Sequence, residues 1–211
     1  MRKLRIPPFV TLIMPVAEQI DYAKLVCELV TRRQQVSLKR LIDPGPTSAQ
    51  LALLWKAAAQ APDHGLILPW RFVHVSDSAR DRLATAFEQA LIDRDPHSTA
   101  AQREDARAKA ARAPFLALAI ARLDGDGHPE IPYTERLVSL GCALQNMLLM
   151  AQAQGFGAGL VSGQAMDSAA LRATFSLAPN EKAISFLGIG TVSWAKANRQ
   201  RPAAEDFVTT L

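Results

Sequence analysis

The chain has 211 residues, 49% of them hydrophobic, with 24 basic and 20 acidic residues and a formal charge of +4. That is the size of one domain with a sizeable core, and it excludes intrinsic disorder and fibrous repeats. Its two cysteines, Cys27 and Cys142, exclude a disulfide framework and any Cys-x-x-Cys pair, and fit a reducing, cytoplasmic setting.

The positive charge is terminal. Arg2, Lys3 and Arg5 open the chain, and Lys196, Arg199 and Arg201 lie near its end; without these six, 18 basic residues face 20 acidic ones. A slightly acidic body argues against nucleic acid as the ligand. Residues 1–18 resemble a signal peptide in their basic start and apolar run. Pro7, Pro8 and Pro15 interrupt that run, however, and no A-x-A-like cleavage site follows. They are expected to be an N-terminal extension to a single domain spanning 19–211. No segment offers about 18 uninterrupted apolar residues, so no membrane span is expected.

Leu25, Val26, Leu29 and Val30 recur at helical spacing and predict a helix from Tyr22 to about Arg33, ending in the basic turn TRRQQVSLKRL. Pro44, Gly45 and Pro46 break the chain, and Thr47 with Gln50 forms a capping box for a second helix to about Gln60. APDHGLILPW reads as a rigid loop and Arg71–Val75 as a strand. Ser78 is expected to cap a third helix to about Ile92, and Thr99–Ala113 a fourth, solvated on most of its face. Phe115–Ile120 is a continuous apolar run, hence a buried strand.

A helix starting at Thr134 carries no charge from Leu137 to Ala153, which predicts burial nearly all round, as a core helix or half of a subunit interface. GFGAGLVSG gives a turn and a short strand, Asp167 caps a helix to about Phe175, Ala183–Thr191 is a buried strand, and the terminal FVTTL has strand character. Helices around a few strands of mixed order make the fold class α+β.

Several motifs lead nowhere. The glycines at 155, 157 and 159 follow a helix and precede a strand, the reverse of a dinucleotide fingerprint, so Gly155 reads as a helix C′ residue. Asp124–Glu135 has Pro129 where a calcium loop needs glycine. LVSGQ lacks the glycine of a nucleophile elbow, and the four histidines have no ligand spacing. Two settings are better suited to a ligand. His64, in its Asp-His-Gly turn, either presents an imidazole to a flat ligand or hydrogen-bonds Asp63. Arg32, Arg33, Ser37, Lys39 and Arg40 combine guanidinium forks with a hydroxyl, as phosphate binding requires, or form a solvated charge cluster.

In this order the segments APDH and PWRF (Ala61–His64 and Pro69–Phe72), RLIDPGPT, GCALQNMLLMAQAQGFG and LGIGT resemble the flavin-dependent nitroreductases, most closely their compact, single-domain bacterial branch. The resemblance covers residues 22–211. It implies a homodimer of α+β fold, with a mixed central sheet surrounded by helices and an exchanged terminal segment. FMN would lie at the subunit interface and pass hydride, ping-pong fashion, from NAD(P)H to a nitroaromatic, quinone or similar small flat acceptor. No protein residue is then catalytic, because the flavin carries the chemistry.

The resemblance also implies the cofactor-binding residues. Arg32, Arg33, Ser37 and Arg40 match an Arg-Arg-Ser-x-x-Arg phosphate pattern, though Gln34, Gln35 and Val36 intervene, and a gapless alignment from Leu41 puts Gln35 at the first arginine. His64 matches a flavin-contacting histidine. Leu160, Val161 and Ser162 stand where close relatives have Trp-Arg-Ser, so an arginine is replaced by Val161. Lys196 and Arg199 fall where the family reaches back to the phosphate. Two alternatives remain: a flavin- or nucleotide-binding protein of this fold without turnover, and a same-fold enzyme with a different flavin reaction.

Overall fold

A computed structural model describes residues 20–124, 127–197 and 200–211. The expected extension at residues 1–18 and the candidate Arg199 lie outside the described residues. The chain runs α1 (Tyr22–Arg32), β1 (Leu41–Ile42), α2 (Ser48–Ala58), β2 (Trp70–His74), α3 (Arg80–Arg94), α4 (Ala100–Arg107), β3 (Phe115–Arg122), α5 (Tyr133–Ala153), β4 (Gly157–Val161), α6 (Ala169–Thr174) and β5 (Glu181–Val192).

Strand β5 is the spine of a five-stranded sheet. It pairs with β3, which pairs with β2 beyond it, with β4 from Gly157↔Gly190 to Val161↔Phe186, and with β1 at Leu41↔Val192. These ladders are antiparallel. A parallel bridge between Gln35 and Ala158 supplies the mixed character.

Seven successive residues of β3, Phe115 to Ala121, are buried because helices cover both faces of the sheet. Their alternation divides the core. Phe115, Ala117, Ala119 and Ala121 face α2 and α5, where small side chains leave room for Leu140, Leu144, Met147 and Leu148. Leu116, Leu118 and Ile120 face the other way, among Leu83 of α3, Ala110, Leu171 of α6 and Phe186. Burying each of these larger side chains contributes about 2 kcal/mol. At the end of β5, Glu181 is buried and accepts from Arg71 Nε (2.6 Å) and Nη2 (2.7 Å) and from the Ala178 amide (3.1 Å). The Arg71 guanidinium holds its carboxyl well below the usual range, at about 2.

The Thr47–Gln50 capping box is present, as is a second at Thr99–Gln102, and Gly155 has a φ of 82° just past the C-cap of α5. Four expectations need correction. Ser78 does not cap α3, because Asp77–Ala79 already forms a 3-10 turn and the Ser78 hydroxyl pairs with that of Ser76. Ser168, one residue beyond Asp167, caps α6 by accepting from the Leu171 amide. FVTTL is not a strand and pairs with none of the strands of this chain. Helix α5 is buried on one side only: Val138 is 67% exposed and Gly141 is exposed.

Candidate functional site

Helix α1 ends at Arg32, and Arg33 turns the chain into an extended crossing over the sheet edge. Val36 donates to the Ala158 carbonyl at 3.0 Å. The Gln35 carboxamide fastens both backbone groups of Leu160: Nε2 donates to its carbonyl (2.5 Å), and its amide donates to Oε1 (3.2 Å). So close a crossing explains Gly159, where a Cβ would fall on the Val36 carbonyl oxygen. The glycine-rich segment therefore serves a backbone crossing, not a dinucleotide turn.

The crossing delivers Ser37 to a cavity of about 470 Å³, which Val161 and Ser162 also line. Phe87 and Leu91 of α3, Leu116 and Phe186 form its apolar floor. Strand alternation sends Leu160 the other way, against the α2–α5 cluster, so this candidate does not line the cavity.

Arg40 is buried and committed to the chain that follows β5. Its Nη1 donates to the Trp194 carbonyl (2.9 Å), its guanidinium lies 5.6 Å from the centre of the Trp194 ring, and its own carbonyl accepts from Ser193 N and Oγ at 2.9 and 3.0 Å. Its Nε is buried without a hydrogen-bond partner. This clamp brings the segment bearing Lys196 beside the basic turn, where the Lys196 carbonyl accepts from Gln34 Nε2 at 3.4 Å. Arg32 and Lys196 are exposed and Arg33 half-buried.

His64 stands apart from the cavity in a 3-10 turn, His64–Leu66, where Gly65, Leu66 and Leu68 have positive φ angles of 70°, 54° and 48°. Asp63 holds this turn by accepting from the Leu68 amide at 2.7 Å. The imidazole pairs instead with Glu135, in the first turn of α5, with Nδ1 2.8 Å from Oε2. The expected His64–Asp63 bond is thus replaced by His64–Glu135, leaving the His64 side chain 65% exposed.

Sequence reasoning missed three cations on the cavity wall: Arg94 at the end of α3, Lys109, and Arg112 before β3. A signal was available. Gln102, Asp105, Ala106 and Lys109 follow helical spacing along one flank of the alanine-rich segment, and all four line the cavity. No helix among the described residues is long and apolar enough to cross a membrane.

An antiparallel spine paired with short strands, with a ligand-sized cavity where a crossing segment meets the end of β4, defines an α+β fold with room for a small ligand. The nitroreductase family model matches residues 33–191, and the chain belongs to this family. Escherichia coli (strain K12) "Putative NAD(P)H nitroreductase YdjA" is 34% identical over 183 residues, covering 86% of this chain and 97% of that protein. The nitroreductase-like family protein from Bacillus cereus shares the fold at a TM-score of 0.74 and 18% identity, over 88% of this chain and 95% of its own. A mutant of the FMN and NADPH-dependent nitroreductase NfnB from Sphigopyxis sp. strain HMH does so at a TM-score of 0.68 and 18% identity, over 87% and 97%.

Proposed function

We propose that this chain is an FMN-dependent NAD(P)H oxidoreductase that reduces a nitroaromatic, quinone or similar flat acceptor, as a cytoplasmic homodimer built from a single domain spanning 19–211. The observation that carries this reading is the cavity itself. Ser37 and Ser162, 125 positions apart, meet there over an apolar floor. Its size and lining, a few convergent polar groups on an apolar surface, suit a fused-ring ligand.

The residues present fit the cofactor. Ser37 and Ser162 would donate hydroxyl hydrogen bonds to FMN, and Arg32, Arg33 and Lys196, with Arg199, would face its phosphate. Arg40 would contribute by holding the Lys196 segment in place, its Nη1 being spent on Trp194. Bound FMN would supply the hydride-transfer chemistry between NAD(P)H and the acceptor. The chain's own part is to position and to exclude water: Gln35 fixes the end of β4, and Val161, Leu116 and Phe186 keep the floor dry.

A second copy accounts for the surface opposite. Tyr22, Leu25, Val26 and Val30 of α1 are all exposed, as are Val138 of α5 and Phe207, Val208 and Leu211 of the terminal segment. Apolar exposure on this scale favours a partner. His64, on a loop where Leu66 is 87% exposed, would then be offered toward the partner.

The purified protein is expected to be yellow, with one FMN per chain, and to oxidise NAD(P)H when a quinone is added. A colourless protein that fails to take up added FMN overturns the reading. Gln35 and Val161, neutral where the resembling pattern has arginines, favour a second reading, flavin binding without turnover. A flavin-loaded protein unable to oxidise NAD(P)H with any quinone or nitroaromatic would establish it.

A further inference from the structure

We infer that the α3–α4 wall of the cavity is an anion subsite, which selects acceptors whose flat aromatic body carries a carboxylate. The inference rests on the flavin-oxidoreductase reading above and adds the chemical class of its second substrate.

The two walls differ in charge. Ser37, Val161, Ser162, Gly163 and Gln164 present no ionised group, whereas Arg94, Lys109 and Arg112 line the opposite side against one acid, Asp105. Among the described residues these three cations have no ion pair and no side-chain hydrogen bond, unlike their neighbours. Arg107 is paired with Glu88 at 2.9 Å, tying α4 to α3. Arg80 donates to the carbonyls of Ala110 (2.8 Å), Arg112 (3.4 Å), Ala113 (3.1 Å) and Pro114 (3.1 Å). The turn bearing Lys109 and Arg112 is thus fixed by other residues, and its own charges are left for a ligand.

The α3 part of the floor beside them is aromatic and aliphatic, from Phe87 and Leu91, apart from the Val161, Leu116 and Phe186 surface assigned to the flavin. A ring lying on that floor with a carboxylate at its edge would meet a guanidinium fork and an ammonium, and a guanidinium matches a planar carboxylate in two parallel hydrogen bonds. A neutral ring would gain only the floor. The attraction acts across a partly open cavity, so added salt should weaken it.

The test compares 4-nitrobenzoate with 4-nitrobenzyl alcohol as acceptors for the FMN-loaded enzyme. The wild type should prefer the carboxylate, and the preference should shrink from low to high salt. In the Lys109→Gln/Arg112→Gln double variant the ratio of the two kcat/KM values should fall about tenfold, through KM for the carboxylate. The single variant Lys109→Glu should reverse the preference. Equal effects on both acceptors, or no carboxylate preference in the wild type, overturn the inference. So does loss of FMN, or a raised KM for NAD(P)H, in the double variant, since either would assign the cations to the cofactor or the dinucleotide. If the wild type turns over no acceptor, the preceding reading fails. Calorimetric titration of the protein with 4-nitrobenzoate then decides the subsite: tighter binding than to the alcohol supports it, equal binding overturns it.

Discussion

The two faces of the sheet are covered in different ways, and each leaves a different kind of unfinished surface. On the α2–α5 side the core is closed by large helix side chains over the alanines of β3, and what remains outside is apolar: Val138 on α5 and the whole face of α1. On the α3–α4–α6 side the large residues come from the strand, and what remains is a cavity rimmed by unpaired cations. Uncovered apolar area gains most from another protein surface, whereas unpaired cations over an apolar floor gain most from a small anionic molecule. One face is thus suited to a second chain and the other to a ligand.

The comparison breaks first at α5. Val138→Asp puts a charge in the middle of the apolar surface; light scattering should then show a monomer. A dimeric, fully active variant would remove the distinction between the faces. Next in size is Arg80→Ala on the opposite side. It strips donors from four carbonyls at the turn before β3 and should cost about 3 kcal/mol in urea unfolding, while leaving the dimer intact.

Glu181 belongs to neither unfinished surface and serves as a reference for both. Its carboxyl is held at about 2 in the folded chain, against an ordinary value near 4.5. The stability this confers is present above the ordinary value and lost as pH falls through it toward 2. Acid titration of the wild type should therefore show a loss of about 3 kcal/mol across that window. Glu181→Gln should show less of it and start from a lower melting temperature. The smallest effect is expected from Gln35→Ala. Removing the amide that holds Leu160 should cost about 1 kcal/mol and speed hydrogen exchange at the Leu160 amide, with little change elsewhere.

Much of this architecture was legible from periodicity and capping residues. Thr47 with Gln50 announced α2, and the apolar run at Phe115 announced a strand covered on both faces. Local pattern misled where the deciding partner was remote. FVTTL has the β-branched residues of a strand but joins no strand of this chain. The uncharged stretch of α5 reads as a core helix, although Val138 and Gly141 belong to an outward face that one chain does not cover.

The site divides in the same way. Ser37, Val161 and Ser162 were found because their types and order carry a pattern, and the fold brings them to one cavity. Lys109 and Arg112 were hidden in an alanine-rich helix whose charges look like ordinary solvation. Helical spacing groups Lys109 with Gln102, Asp105 and Ala106 on one flank, but only the fold shows that this flank faces a cavity. Gln35 looked like a defect in an arginine motif; that its carboxamide fits the two backbone groups of Leu160 is a fact of the crossing geometry alone.

The Arg80 clamp has an evolutionary consequence. One half-buried cation organises four carbonyls of the turn before β3, so the scaffold of the turn does not depend on the side chains at 94, 109 and 112. Those positions are free to drift among acid, base and neutral with little penalty in folding. Exchanging these three residues, of which Arg94 and Lys109 are exposed and Arg112 half-buried, changes the charge of the wall while the framework stays constant, which makes it a natural place to begin redesigning selectivity.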